Sequence, residues 1–261
     1  MQSLNIATTG MAAQALNVEV ISNNIANMNT TGFKRQRAEF QDLLYQDRRR
    51  VGTSSSDAGT IVPSGVQLGV GVKTAATYRI NEQGALLLTD NEFDVAIKGK
   101  GYFQINLPDG TSAYTRAGSF QLSNSGQMVT PDGYTVQPGI TIPSDTLTVT
   151  INAAGQVFAK IAGQVAESNV GQLQLANFQN PAGLENIGNN LLKETPASGT
   201  ATTGVPGATG FGEIQQGFVE SSNVDPVQEI TNLITAQRAY EMNSKVIETS
   251  DQMMSTVNNI R

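Results

Sequence analysis

Apolar positions in this 261-residue chain form a helical stripe at each end, with short alternating runs between them. Near the N-terminus Leu4, Ala7, Met11, Val18, Ile21, Ile25 and Met28 recur at the a and d spacing of a heptad, and Gln14 is the one polar break. A helix over 4–28 would be about 40 Å long at about 1.5 Å per residue. Its single charged side chain is Glu19. A surface helix normally sets a charged face opposite its apolar one, so this helix reads as covered on more than one side. It ends among Asn23, Asn24, Asn27, Asn29, Thr30 and Thr31, whose amides and hydroxyls compete for backbone hydrogen bonds and favour a helix terminus.

The second stripe begins at Asp225-Pro226-Val227-Gln228. Asp225 suits an N-cap, Pro226 the first helical position, and Gln228 the reciprocal position of a capping box. Leu233, Tyr240, Ile247 and Met254 then repeat every seven residues, and Ala239, Val246, Met253 and Ile260 repeat one position earlier. Arg238, Glu241, Lys245, Glu248, Gln252, Ser255 and Asn259 lie opposite, with Glu241 and Lys245 at a favourable i, i+4 spacing. Either stripe alone equally fits a core helix of an ordinary globular fold. Their position at the two extremes of the chain, and the scarcity of charge in the first, favour pairing with each other or with other copies.

Between the stripes the pattern changes. Residues 35–50 are charged and amphipathic, with Phe40, Leu43, Leu44 and Tyr45, and the following "VGTSSSDAGTIVPSGVQLGVGVK" has no helical period, as expected of an extended arm. From 76 to about 180 come strand-like runs: "FDVAIK", "GYFQINL", "SAYTRAG", "SFQLS", "YTVQP", "LTVTI", "QVFAKI" and "QLQLANF". Pro108-Asp109-Gly110, Pro131-Asp132-Gly133 and "SNSG" at 123–126 supply the turns. These predict an antiparallel meander or barrel-like domain. "TPASGTATTGVPGATGFGE" (195–213) reads as a loop before the chain returns to helix. The expected class is α+β: a coiled-coil-like terminal domain (1–31 and 225–261), an extended connector (32–75) and a β-rich outer domain (76–224).

Composition narrows the function. Charged residues make up 15% of the chain, against about 25% in a typical soluble protein. The net charge is −6 and offers no basic footprint for nucleic acid; the local positive cluster is Arg48, Arg49 and Arg50. Cysteine and histidine are both absent, which removes disulfides, thiolate chemistry and the commonest general base and metal ligand. The first Lys or Arg is Lys34, so no positive n-region of a secretory signal is present, and no run approaches the ~20 apolar residues of a membrane span. By these rules alone the chain would be cytosolic.

Candidate chemistry is thin. "GVQLGVGVKT" (65–74) lacks the Gly-Lys-Ser/Thr ending of a phosphate loop, and Gly99-Lys100-Gly101 reads as a tight turn. Asp94, Asp109 and Asp132 are conceivable glycosidase carboxylates, but two of them sit in turns that favour Asp for backbone reasons. Asn29-Thr30-Thr31 matches a glycosylation sequon at a helix end. No catalytic, cofactor or metal residue is assigned.

Three ordered segments resemble one family. "SLNIATTGMAAQALNVEVISNNIANMNTTGFKR", "FDVAIKGKGYFQI…YTRAGSFQLSNSGQMVTPDGYTVQP" and "GFVESSNVDPVQEITNLITAQRAYEMNSKVIETSDQMMSTVNN" are similar to the N-terminal, β and C-terminal parts of the bacterial flagellar rod, hook and hook-associated axial proteins. Length and the arm most resemble the distal-rod branch; the proximal rod and hook branches are the nearest alternatives, and a secreted carbohydrate-binding β protein is a remote one. The resemblance implies a non-enzymatic structural subunit that polymerises into a rigid, torque-transmitting tube around an export channel. It implies assembly contacts at Leu4, Met11, Val18, Ile21, Ile25, Asn23, Asn24, Asn27, Leu233, Tyr240, Ile247 and Met254. Arg238, Glu241, Lys245 and Glu248 would face the channel, and Arg48, Arg49 and Arg50 would carry arm contacts. Expected partners are copies of itself, adjacent rod and hook proteins, the surrounding basal-body rings and the flagellar type III export apparatus. The expected location is the periplasm-spanning rod, reached without a cleaved signal peptide. Helices with such apolar faces are further expected to be disordered in a free subunit and to fold on polymerisation.

Overall fold

The computed structural model describes residues 2–49, 64–164 and 166–259. Its class is α+β. The chain divides into two compact units: Met1–Ile25, Gln36–Tyr78 and Asp225–Arg261 form the first, Ala26–Arg35 and Arg79–Val224 the second.

The first unit is built on two helices, α1 (Gln2–Ala26) and α2 (Pro226–Asn259). Asp225 Oδ1 accepts from the backbone N–H of Val227 at 2.9 Å and of Gln228 at 3.3 Å, so the expected N-cap forms. The expected capping box does not close. The Gln228 amide donates forward to Asn232 Oδ1 at 3.1 Å, one turn on, where an exposed side chain finds a ready acceptor. The arm takes the form of ribbons: Gln36–Asp42 pairs with Val72–Arg79, and Tyr45–Arg49 runs antiparallel to Val66–Gly69, with Tyr45 opposite Gly69. The expected arm sequence at 50–63 lies outside the described residues.

In the second unit every strand pairing is antiparallel among the described residues. The largest sheet has nine strands, seven in the spatial order 185–188, 191–193, 112–115, 102–106, 135–136, 128–129 and 121–122. Leu175–Asn177 joins it beside Tyr102–Asn106 and also pairs with Thr202–Gly204. A three-stranded sheet follows chain order through Thr146–Ile151, Gln156–Ile161 and Ser168–Gln172. Val95, Ile97, Phe103, Ile105, Phe120, Met128, Val157 and Leu175 fill one apolar core, and the Phe103 and Phe120 rings meet edge-on with centroids 5.1 Å apart. The Asp-Gly turns form as expected: Gly110 and Gly133 have φ of +79° and +84°, a region open to glycine at no steric cost.

The 195–213 segment is not only loop. It contains the strand Thr202–Gly204, and the chain reaches α2 through two further strands, Glu213–Gln216 and Phe218–Glu220. The first sets Ile214 opposite Ile97, and the second pairs with Leu86–Leu88. Strands this short show no alternation in sequence, and the last two exist through partners more than a hundred residues away.

Candidate assembly surface

Polar contacts fix the pairing of α1 and α2. Asn24 is buried; its Nδ2 donates to Glu229 Oε2 at 3.2 Å and to the Gln36 carbonyl at 2.9 Å, while its Oδ1 accepts from Gln36 N–H at 2.9 Å. One amide therefore ties both helices to the first arm strand. Near the opposite ends of the helices, a Cβ placed on Gly10 would lie 2.9 Å from Asn243 Nδ2, so the helices approach closely there. Gly10 precedes Asn24 by fourteen residues and Asn243 follows Glu229 by the same number, so the helices run antiparallel and in step. The buried residues of α2 are Glu229, Ala236 and Ser250, which share one heptad phase with Asn243. Those of α1 are Ala7, Ala13, Val20, Ile21 and Asn24. On the α2 side the seam is lined by small and polar side chains.

The large apolar side chains of α2 lie elsewhere. Val227, Ile230, Ile234, Tyr240, Met242, Val246, Met253, Met254 and Val257 are all exposed, Val227 by 74% and Val257 by 70%. The arm meets α1 at Gly71 (φ +127°), where a Cβ would come within 2.2 Å of Thr9 Oγ1. That hydroxyl accepts from Val72 N–H at 3.3 Å.

The second unit holds a buried charge cluster. The Glu220 carboxylate, fully shielded, meets Lys34 Nζ at 2.5 Å and Arg116 Nε at 2.5 Å. The Arg116 guanidinium also donates to the carbonyls of Gly101 and Gly99 at 2.6 Å each, and Lys34 Nζ donates to the Glu82 carbonyl at 2.7 Å. Burial pulls the Lys34 pKa below its usual value, and the Glu220 partner offsets that in part. The Gly32 N–H donates to the Glu220 carbonyl at 2.8 Å, so the segment that follows α1 and the strand that precedes α2 are fastened together inside this unit. Two of the conceivable catalytic acids accept from near neighbours in the chain. Asp94 accepts from Thr89 Oγ1 at 2.6 Å and Asn91 Nδ2 at 3.1 Å, and Asp109 from Thr111 N–H at 2.9 Å. Among the described residues no group of three or more acidic, His or Cys side chains could hold a metal ion.

Three family models match along the chain. They are the flagella basal body rod protein (residues 4–34), the flagellar hook protein FlgE/F/G D1 domain (96–159) and the flagellar basal body rod FlgEFG protein C-terminal (215–260). The chain is 62% identical to the flagellar basal-body rod protein FlgG of Caulobacter vibrioides over 261 residues, the whole of both chains. It is 53% identical to that of Agrobacterium fabrum, with 98% of each chain covered, and 39% identical to that of Bacillus subtilis, with 100% of this chain and 99% of the relative covered. The chain belongs to the flagellar basal-body rod protein family. Its rod-family matches at 4–34 and 215–260 take in nearly all of α1 and α2.

The sequence-derived contact residues of this rod-family chain separate by burial. Ile21 and Asn24 are buried; Leu4, Met11, Val18, Ile25, Asn27, Leu233 and Ile247 are half-buried; Asn23, Tyr240 and Met254 are exposed. Arg238, Glu241, Lys245 and Glu248 all face solvent, as do Arg48 and Arg49, and Arg48 Nη2 donates to Gln2 Oε1 at 3.4 Å. Arg50 and Ile260 lie outside the described residues. The apolar heptads of α2 thus flank the intramolecular seam rather than form it. The sequence reading missed Glu229, Ala236, Asn243 and Ser250 because it followed apolar residues; a seven-residue repeat of small and polar side chains was the available signal. In the structure both termini are helical, and they meet at the Asn24–Glu229 and Gly10–Asn243 contacts.

Proposed function

We propose that the chain is a structural subunit of the distal part of the flagellar basal-body rod, with no catalytic role. It polymerises through its paired terminal helices into a rigid tube that transmits torque and surrounds an export channel. The observation that carries this reading is the set of large apolar side chains left exposed on α2 in a single chain, Val227, Ile230 and Ile234 on one face and Met242, Val246, Met253 and Val257 on another. Contiguous exposed apolar surface marks an interaction site, and whole-length identity to rod proteins supplies its kind.

The α1–α2 pair acts as a short antiparallel coiled coil, a reading supported by the two contacts spaced fourteen residues apart on each helix. Its outer apolar residues pack against other copies. Arg238, Glu241, Lys245 and Glu248, exposed and charged, line the wet channel. The arm, with Arg48 and Arg49 exposed, stiffens the polymer. Adjacent rod and hook proteins, the surrounding rings and the type III export apparatus are the remaining partners. The subunit leaves the cell interior without cleavage and works in the periplasm-spanning rod. Purified chain, concentrated stepwise and imaged by negative stain, is expected to form tubes of constant diameter. A chain that stays monomeric at every concentration and fails to restore swimming to a strain lacking it would overturn the proposal.

A further inference from the structure

The helix α2 outlasts its partner. With Gly10 level with Asn243 and Asn24 level with Glu229, the antiparallel register sets Ser3 level with Ser250, and α2 runs on to Asn259. Ser250 is 2% exposed. Seven residues beyond it Val257 keeps the phase of the seam, and Met253 and Met254 continue the apolar heptads that flank it; all three are exposed. In that phase Glu229, Ala236, Asn243 and Ser250 give way to Val257 beyond the level of Ser3. At the other end of the helix, Val227, Ile230 and Ile234 form a second exposed apolar patch on the face away from Glu229.

We infer that the Met253–Met254–Val257 overhang of one copy docks on the Val227–Ile230–Ile234 patch of the next, joining copies head to tail along the tube axis. This rests on the polymer reading above and names its axial contact. Three observations carry it. The overhang continues an interface that already exists within the chain, so a helical partner is the surface it is shaped for. The two patches lie at opposite ends of one helix; a contact between them leaves one of each free on every dimer, the condition for a head-to-tail polymer. The negative end of one α2 also comes near the positive end of the next, the favourable order for helix dipoles. From Ile230 to Val257 the helix rises about 40 Å at about 1.5 Å per residue, which sets the expected axial repeat.

The chain contains no cysteine, so disulfide trapping needs no background correction. A chain carrying both I230C and M253C, assembled and then oxidised, is expected to give a ladder of dimers, trimers and longer species on non-reducing gels. Chains with I230C alone or M253C alone should remain monomeric. Dimers from either single variant would mean a two-fold contact and overturn the inference. So would efficient cross-linking of M253C to L4C of another copy, which would mean that a neighbour's α1 covers the overhang. Tubes that form normally yet give no ladder overturn the axial contact and leave the polymer reading standing; absence of tubes from unmodified chain removes both. As a second readout, Val257→Ser is expected to raise the concentration at which tubes appear by at least about tenfold, and an unchanged threshold counts against the contact.

Discussion

The two units of this chain treat apolar surface in opposite ways. In the second unit Val95, Ile97, Phe103, Ile105, Val157 and Leu175 are completely enclosed, and the buried polar groups are matched to partners. In the first unit α2 buries only Glu229, Ala236 and Ser250 and leaves large Ile, Val and Met side chains exposed, while α1 buries Val20 and Ile21 beside Ala7, Ala13 and Asn24. Burial of a large aliphatic side chain contributes about 1.5–3 kcal/mol. The second unit realises that energy within one chain, and the exposed apolar side chains of α2 do not. The polar seam sets direction and register; in the proposed polymer the exposed side chains supply the adhesion. A seam of Leu in place of Ala236, Asn243 and Ser250 would strengthen the pair but loosen its register, since polar groups at heptad positions specify alignment at some cost in stability.

The sharpest break of this contrast is at Glu220. Replacing it with Gln leaves Lys34 and Arg116 buried without a counter-charge, and removing one partner of a buried ion pair costs about 3–5 kcal/mol. Urea denaturation followed by near-UV circular dichroism should show that loss in the second unit. A loss below about 1 kcal/mol would mean that the Gly99, Gly101 and Glu82 carbonyls already satisfy both cations.

A matched pair of truncations tests the comparison directly. Ile105→Ala removes enclosed methyl groups from the core and should cost about 2–5 kcal/mol in the same denaturation experiment. Ile234→Ala, in an exposed position on α2, should fall within about 0.5 kcal/mol for the dilute chain, yet should reduce tube formation in a pelleting assay. If Ile234→Ala destabilised the dilute chain as much as Ile105→Ala, the stripe would belong to an intramolecular core.

Legibility in the sequence followed this same division. The helices were visible because a 3.5-residue period repeats many times, and the Asp225 cap and the Asp-Gly turns because their side chains act on the nearest backbone. Strands such as Tyr102–Asn106 and Gln156–Ile161 alternate long enough to be seen. Thr202–Gly204 and Glu213–Gln216 were not, because three or four residues carry no period, and the partner of Glu213–Gln216 lies more than a hundred residues away. The seam face of α2 was not read because Glu229, Ala236, Asn243 and Ser250 are small or polar, and hydrophobic periodicity marks only apolar residues. Lys34, Arg116 and Glu220 gave no signal, being 186 residues apart at the extremes and carrying nothing local to mark them.

A smaller effect is expected at Asp225. Its carboxylate satisfies two N–H groups of the first turn of α2, and Asp225→Ala should cost about 1 kcal/mol. Fraying would begin at Val227 and Ile230, so hydrogen exchange should accelerate in the first turns of α2 and remain unchanged around Ser250. Uniform acceleration along α2 would show that the cap governs the whole helix and that the Glu229 contact anchors little.

The mildest test concerns alkaline pH and the outer unit alone. Tyr102 and Tyr114 pack edge-on against Phe178, with ring centroids 5.9 and 4.7 Å from it. Burial raises the pKa of both phenols; Glu194 raises that of Tyr114 further, while Arg116 and Arg79 offset part of the shift at Tyr102. The unfolded chain releases these protons near pH 10, while the folded chain still holds them. Their contribution is therefore complete below pH 10 and is lost as pH rises through the folded values. Lys34 works in the opposite direction: its lowered pKa means that stability improves between the folded value and the unfolded value of about 10.5. The denaturation midpoint should accordingly fall above pH 10 in the native chain and fall less steeply in Y102F/Y114F, which keeps the rings against Phe178 and removes the protons. A double variant that loses stability as steeply as the native chain would move the alkaline sensitivity away from this aromatic cluster.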